Sequence, residues 1–170
     1  MLISIITVVY NDLNRIRQTM QSVLNQDYSN IEYIIIDGGS IDGTLEVIKS
    51  LQTDKVKILS EKDYGIYNAM NKGIKLASGE LIGILNAGDT YEPNTLRTIS
   101  LSHGEVVTGH MHRTNYLGDI VFTNYRYPKN LKKMFEAMPL NHPVTFVKKI
   151  FTTNMVVSMK IISIVPIMIL

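Results

Sequence analysis

The chain has 170 residues, of which 45% are apolar and 19% are charged, and these values are typical of one globular domain with a substantial core. The net charge of +2 is too small to argue for a nucleic-acid partner. Cysteine is absent, which excludes disulfides and thiolate metal sites and permits a reducing cytosol. Residues 1–10 lack the basic segment and cleavage site of a signal peptide and are interpreted as a first strand.

The first hundred residues alternate between predicted strands and predicted helices. Apolar, β-branched runs predict strands at Leu2–Val9, Ile31–Asp37, Val56–Ser60 and Leu81–Asn86. Helical spacing predicts helices at Leu13–Asn25, from about Gly43 to Leu51, from Ile66 to Ala77, and from Pro93 to about Ser100. This alternation predicts an α/β fold with a mostly parallel sheet flanked by helices.

The pattern changes in the last seventy residues. Two alternating segments, Glu105–Arg113 and Asp119–Tyr125, flank Tyr116-Leu117-Gly118 and predict a β-hairpin. Lys129–Met138 is predicted as a short amphipathic helix, whose lysines indicate either a membrane-facing surface or a solvated face. The apolar tail, Met155–Leu170, is shorter than the roughly 18–20 residues that span a bilayer and is not predicted to cross a membrane.

Three aspartates occupy equivalent places in three successive units. Asp37, Asp63 and Asp89 each follow a predicted strand, and each lies 26 residues after the previous one. Parallel strands deliver their carboxyl ends to one edge of the sheet, where ligands bind. We therefore expect three carboxylates to converge there, and their repulsion would be relieved by a cation or by hydrogen-bond donors of a ligand. Mg²⁺ or Mn²⁺ would suit such oxygen ligands.

Several polar residues near this edge have a structural and a functional interpretation. Asp42 is better explained as a helix cap than as a ligand. Lys72 faces either phosphate or solvent, and Asn71 either packs against a loop or contacts a ligand. His142 lies in an irregular loop and is a weak candidate for the acceptor side of a site.

Taken together, these motifs resemble glycosyltransferase family 2. The resemblance rests on five segments in this order: TVVYN from Thr7, IIIDGGSIDGT from Ile34, SEKDYGIYNAMNKG from Ser60, ASGE from Ala77 and LNAGD from Leu85. It covers about Ile3 to Lys149. It implies a GT-A fold and inverting transfer of a sugar from a nucleoside diphosphate donor, usually a UDP-sugar.

The resemblance also implies roles for individual residues. Thr7 and Tyr10 would line the base pocket, Asp37 would contact the base or ribose, and Asp63 would lie beside the nucleotide. Gly39 and Asn71 are further donor-binding candidates. Asp89 would be the surviving acid of the family's Asp-x-Asp metal motif, with Ala87 in place of the first acid, and would hold Mg²⁺ or Mn²⁺ almost alone. The acceptor would be a saccharide or a lipid-linked saccharide of a bacterial surface polysaccharide, used in the cytoplasm or at the inner face of the membrane by a peripherally associated protein.

The sequence departs from the family's pattern after Lys149. The family's general base is a carboxylate in this region, but residues 150–170 contain no Asp or Glu. We therefore divide the chain into a transferase domain, 1–149, and a divergent apolar tail, 150–170. One hypothesis is that the tail is truncated or read out of frame, and the alternative is a genuine divergent tail.

Two other functions can be compared with the sequence, a binding domain without catalysis and a nucleotidyltransferase. A nucleotide-sugar-binding domain without turnover would explain the missing base. A nucleotidyltransferase would need a glycine- and basic-rich loop after the first strand, where this chain has Tyr10-Asn11-Asp12-Leu13.

Overall fold

The structure is a computed structural model that describes residues 1–115, 117, 119–124 and 142–155. Its elements are, in chain order, β1 (Ile3–Val9), α1 (Ile16–Leu24), β2 (Ile31–Asp37), α2 (Thr44–Ser50), β3 (Val56–Ser60), α3 (Ile66–Leu76), β4 (Leu81–Ile84), α4 (Thr95–Ser100), β5 (Val106–Thr108), β6 (Met111–Thr114), β7 (Ile120–Asn124), a 3₁₀ turn (His142–Val144), β8 (Thr145–Lys148) and α5 (Lys149–Met155).

The main sheet has the strand order β3-β2-β1-β4-β8-β5. The pairs β1–β2, β1–β4 and β2–β3 are parallel, whereas β8 is antiparallel to both β4 and β5. Val9 pairs with Asp37, and Asp37 pairs with Ser60, so β1, β2 and β3 end at the same level. The predicted convergence of the strand ends at one edge is therefore confirmed for these strands.

Both faces of β1 and β2 are buried, which explains their uninterrupted apolar sequences. On one face, Ile5 and Ile35 pack in a cluster with Ile16 and Met20 of α1. On the other face, Ile6 and Ile34 pack in a second cluster with Met70 of α3. Each fully buried isoleucine contributes about 1.5–3 kcal/mol to folding, so the parallel sheet is a rigid support for the loops at its carboxyl edge.

Gly73 allows α3 to lie close to β1. A Cβ added at Gly73 would come within 2.3 Å of Ile6 Cγ2, which is closer than atoms can approach. The close approach of α3 fixes the helix whose amino end faces the candidate site.

Glu32 joins three segments at the opposite, amino-terminal end of the sheet. Its carboxylate accepts hydrogen bonds from Ser4 Oγ, from the backbone N–H of Ser78, from Ser78 Oγ at 2.9 Å and from the Gly79 N–H at 2.9 Å. The exposed Lys57 ammonium lies 2.8 Å from Glu32 Oε2. Burial by itself would raise the pKa of Glu32, but the hydrogen bonds from Lys57, Ser4 and Ser78 outweigh it and lower the pKa to about 2. This buried charge therefore stabilises the fold.

The predicted elements of the first hundred residues are all present, with shifted ends. The predicted strand Leu81–Asn86 ends at Ile84, and the predicted helix at Leu13 begins at Ile16. The later start has a local cause, because the N–H groups of Arg15 and Ile16 both donate to the Asp12 carbonyl and close a turn first.

The predicted hairpin is correct in part. Met111–Thr114 pairs antiparallel with Ile120–Asn124, as expected. The predicted segment Glu105–Arg113 is not one strand, however, because Val106–Thr108 pairs with β8 in the main sheet. The predicted helix Lys129–Met138 and most of the apolar tail lie outside the described residues. None of the helices in the described ranges is long and apolar enough to cross a membrane.

Candidate functional site

Hydrogen bonds tie the β1–α1 and β2–α2 loops together at the carboxyl edge of the sheet. The Asn11 N–H donates to Ser40 Oγ at 2.8 Å, and the Ile41 N–H donates to Asn11 Oδ1 at 2.9 Å. Asn11 has a φ of 49°, in the left-handed region that asparagine tolerates. The Asp12 N–H also donates to Thr44 Oγ1 at 2.9 Å. These contacts hold the loops in place without a ligand.

Asp37 is fully buried at the end of β2, and its carboxylate is occupied by hydrogen bonds within the protein. It accepts from the Ser40 N–H at 3.2 Å, from Ser40 Oγ at 2.5 Å and from Ser60 Oγ at 2.6 Å. Asp37 therefore joins the ends of β2 and β3. Its contact with a base or ribose stays a prediction.

A cavity of about 220 Å³ opens beside Tyr10 and Asp63. It is lined by Val8, Val9, Tyr10, Asp63, Gly65, Ile66 and Ala69. The Tyr10 side chain is 63% exposed, so its ring is available for stacking. Apolar walls with one aromatic ring and one carboxylate suit a flat heteroaromatic group that carries N–H donors.

Asp63 is positioned at this cavity by its own loop and by Gly38. Its Oδ1 accepts a hydrogen bond from the Gly65 N–H at 2.9 Å. A Cβ added at Gly38 would lie only 2.7 Å from Asp63 Oδ2 and 3.3 Å from the Tyr10 ring. The glycine of the β2–α2 loop therefore leaves the space that Asp63 and Tyr10 occupy.

The other predicted donor-binding residues are not among those that line this cavity. Thr7 is fully buried, and its Oγ1 lies 2.9 Å from the Tyr33 hydroxyl. Gly39 has a φ of 84° and turns the loop beside the backbone of Lys62. Asn71 is half-buried on α3. The expected nucleotide contacts of these three residues stay predictions, and the position of Thr7 in the core does not favour one.

Lys72 and Asp42, for which the sequence left two interpretations, have partners within the protein. The Lys72 ammonium lies 2.8 Å from Glu61 Oε1 and donates to the Lys62 carbonyl at 3.1 Å. Asp42 accepts from the Thr44 N–H at 3.0 Å and from the Leu13 N–H at 3.2 Å. The N-cap of α2 is Gly43, and no side chain caps the helix, so the predicted role of Asp42 as a helix cap is wrong.

Asp89 lies in the β4–α4 loop, in a half-buried position beside Arg15. Burial raises the pKa of Asp89 to about 6, and the positive charge of Arg15 opposes part of that rise. A Cβ added at the neighbouring Gly88, whose φ is 95°, would lie 3.1 Å from Arg15 Nη1. The guanidinium therefore packs directly against the loop that carries Asp89.

The residues around Asp89 fit a divalent cation only if substrate oxygens complete its shell. Within the described ranges, no three histidine or acidic side chains are grouped so that they could hold an ion. Mg²⁺ and Mn²⁺ are commonly held by one or two carboxylates together with substrate phosphates and water. Asp89 can supply one such carboxylate, so the donor set fits an ion that arrives with a phosphorylated ligand.

The backbone of His142 lies at the same edge of the sheet as the strand ends. Because β8 runs antiparallel to β4, the turn His142–Val144 enters the sheet where β4 approaches its carboxyl end. The His142 side chain is outside what the structure describes, and its role on the acceptor side stays a prediction.

Sequence reasoning gave no role to three residues that organise this edge. Ser40 and Ser60 bind Asp37, and Arg15 lies beside Asp89. The two serines flank their strand ends within the motifs quoted above, which was an available signal. The sequence contained no such signal for Arg15, because Gly88, which lies beside it in space, is 73 residues away in the sequence.

Comparison with known proteins agrees with this architecture. An uncharacterized glycosyltransferase of Nostoc sp. is 35% identical over 121 residues, which is 69% of this chain and 38% of that protein. S. aureus TarS in complex with UDP-GlcNAc superposes with a TM-score of 0.74 at 18% identity, over 91% of this chain and 47% of that one. A Pyrobaculum calidifontis mannosyltransferase in complex with GDP-Man and Mn²⁺ superposes with a TM-score of 0.66 at 18% identity, over 90% of this chain and 46% of that one.

These comparisons confirm the predicted GT-A type of α/β fold. The chain spans less than half the length of each of these proteins. Residues 4–147 match the family described as Glycosyl transferase family 2. The chain therefore belongs to glycosyl transferase family 2.

Proposed function

We propose that residues 1–149 form the donor-binding domain of an inverting sugar transferase. The domain takes a nucleoside diphosphate sugar, preferably a UDP-sugar, and passes the sugar to a saccharide or lipid-linked acceptor in surface polysaccharide synthesis. One observation carries the proposal: the Tyr10–Asp63 cavity and the Asp89 loop open at the same edge of one sheet.

The cavity supports the nucleotide part of the proposal. Tyr10 stacks on the base, and the Asp63 carboxylate accepts from its N–H donors. The cavity of about 220 Å³ suits one base rather than a whole nucleotide sugar. The ribose and the diphosphate therefore extend from it along the strand ends towards Asp89.

Asp89 serves the leaving group in this proposal. The diphosphate accumulates negative charge as its bond to the sugar breaks, and stabilising that charge lowers the barrier. A divalent ion bound there supplies electrostatic stabilisation of the leaving diphosphate. Asp89, in its ionised form, is the residue of this chain that would hold the ion.

The acceptor half of the reaction needs a general base opposite the leaving group. The absence of Asp and Glu from residues 150–170 favours a second candidate function, in which the chain binds a nucleotide sugar without transferring it. Detection of sugar transfer to an added acceptor separates the two candidates, because donor binding is common to both. A lipid-linked acceptor would place the protein at the inner face of the membrane.

Calorimetric titration with UDP, in Mn²⁺ and in EDTA, tests the donor site. We expect binding that Mn²⁺ strengthens, and we expect Asp89→Ala to abolish that strengthening because the ion loses its protein ligand. Asp54→Ala is the matched control, since Asp54 is exposed in the turn before β3. If the unaltered chain binds no nucleoside diphosphate under either condition, the proposed function is wrong.

A further inference from the structure

We propose that Arg15 is a donor-site residue whose free guanidinium edge binds the diphosphate of the nucleotide sugar beside Asp89. This inference rests on the proposed function and adds a residue and a charge to the same site.

The position of Arg15 is the first argument. It precedes α1 at the carboxyl edge of the sheet, and its Nη1 would be 3.1 Å from a Cβ added at Gly88. Its positive charge is close enough to act on the Asp89 carboxyl. Because Gly88 has no side chain, the guanidinium lies against the loop towards which the diphosphate extends.

The orientation of the guanidinium is the second argument. Asp12 holds one edge of it side-on, with Nε 2.9 Å from Oδ1 and Nη2 2.7 Å from Oδ2. Asp12 is itself fixed, because its N–H donates to Thr44 Oγ1 at 2.9 Å. Among the described residues Nη1 has no hydrogen-bond acceptor, although the Arg15 side chain is 67% exposed. Arg15 is thus held by one edge and presents the other.

The chemistry of the two groups is the third argument. A guanidinium offers paired N–H donors whose geometry matches two phosphate oxygens, and it keeps its charge at every physiological pH. Lys72, another cation near this edge, is already paired with Glu61 at 2.8 Å. A phosphate that reaches Asp89 therefore finds a fixed positive charge in Arg15, whether or not a divalent ion accompanies it.

Titration of the full chain and its variants with UDP and with uridine, in EDTA and in Mn²⁺, tests the assignment. Arg15→Met is expected to weaken UDP binding about tenfold and to leave uridine binding unchanged, because only UDP carries the diphosphate. The loss of UDP affinity should be larger in EDTA, because Arg15 then has no divalent ion beside it. Arg17→Met is the matched control, since Arg17 is an exposed arginine in the first turn of α1, two residues after Arg15, and it should change neither affinity.

Asp12→Asn distinguishes phosphate binding from a purely structural tie. It breaks the same ion pair but keeps the cation, so it should retain most of the UDP affinity that Arg15→Met loses. Arg15→Lys keeps a charge without the planar fork, and an intermediate loss of UDP affinity is expected even if Arg15→Met fails to fold. Two outcomes would overturn the assignment. In the first, Arg15→Met and Asp12→Asn both weaken the binding of UDP and of uridine to the same extent. In the second, Arg15→Met and Arg15→Lys both leave UDP binding unchanged. If the unaltered chain binds UDP but the Arg15 and Asp12 variants give one of these two outcomes, the role of Arg15 is wrong and the proposed function of the chain still stands.

Discussion

At the scale of single residues, the carboxyl edge of the sheet holds carboxylates in opposite circumstances. Asp37 is fully buried, yet Ser40 and Ser60 supply it with hydrogen bonds between 2.5 and 3.2 Å. Asp89 is half-buried, and among the described residues it is the nearby charge of Arg15 that offsets part of its loss of water, so its pKa is raised to about 6. A carboxylate that is costly to ionise without a ligand is well suited to bind a cation, because the ion removes that cost.

This difference predicts that Asp89→Asn stabilises the metal-free protein. The pKa of Asp89 is raised from 3.8 to about 6 on folding, so the folded state binds more protons between these values and loses stability as the pH rises through them. The ionised group therefore costs about 2–3 kcal/mol at neutral pH. Urea denaturation in EDTA at pH 7.5 should show the variant to be more stable by up to that amount, and the difference should shrink at pH 4.

The exposed Asp54→Asn variant provides the comparison, and it should match the unaltered chain at both pH values. Equal or lower stability of Asp89→Asn at pH 7.5 would show that ionised Asp89 is not disfavoured in the fold.

At the scale of elements, the loops at the two ends of the sheet are held by different means. The carboxyl-end loops are joined by several separate contacts, among them Asn11 with Ser40 at 2.8 Å and the Leu13 N–H with the Asp42 carboxylate at 3.2 Å. The amino end is joined by Glu32, which links β1, β2 and the turn between α3 and β4. Parallel strands are joined by long connections, which re-enter the sheet at its amino end. At the connection between α3 and β4, the buried Glu32 carboxylate accepts hydrogen bonds from the N–H groups of Ser78 and Gly79, which would otherwise be unsatisfied.

Glu32→Gln is therefore expected to destabilise the protein by about 2–3 kcal/mol at pH 7, after allowance for solvent around the exposed Lys57. The pKa of Glu32 is lowered from 4.5 to about 2, so its contribution is complete above pH 4.5 and is lost as the pH falls towards 2. Urea denaturation between pH 2.5 and 7 measures this window.

Glu105→Gln is the control for this substitution, because Glu105 is exposed just before β5. A Glu32→Gln variant whose stability equals that of the unaltered chain throughout the pH range would show that the buried charge contributes nothing.

At the scale of the whole molecule, β8 joins the late part of the chain to the early part. It inserts between β4 and β5, and Phe146 pairs with Gly83 and with Val107. Phe146 is fully buried, and its ring lies 5.8 Å from that of Tyr91. Val144 and Phe146 are therefore part of the same core as β1 and α1, and we expect β8 to unfold together with it.

Phe146→Ala should lower the free energy of unfolding by about 3–5 kcal/mol, because it leaves a cavity between β4 and the loop that carries Tyr91. Urea denaturation followed by circular dichroism and by tyrosine fluorescence should give coincident single transitions for the unaltered chain. Phe122→Ala removes a side chain that is 55% exposed, so it should lower the free energy of unfolding much less than Phe146→Ala does. Separate transitions for the two signals would show that β8 is not part of the cooperative unit.

The sequence by itself determined the local features of this protein. Runs of β-branched residues that alternate with helical spacing indicated β1 to β4 and the helices between them, because these patterns depend only on near neighbours. The same order placed Asp37 at the end of β2 and Asp63 and Asp89 in the loops that follow β3 and β4, since parallel strands share one carboxyl edge. The quoted motifs were sufficient to indicate the family.

Only the tertiary structure decided which face each of these residues presents and what it contacts. Thr7, Val8 and Val9 all lie in a strand buried on two sides, where alternation does not tell which side chains reach the cavity. In the structure Val8 and Val9 line the cavity, whereas Thr7 does not. The antiparallel insertion of β8 beside β4 joins residues more than sixty positions apart. The contact between Arg15 and the Gly88 loop is of the same kind. Such pairings follow from how the whole core packs, so no local pattern predicts them.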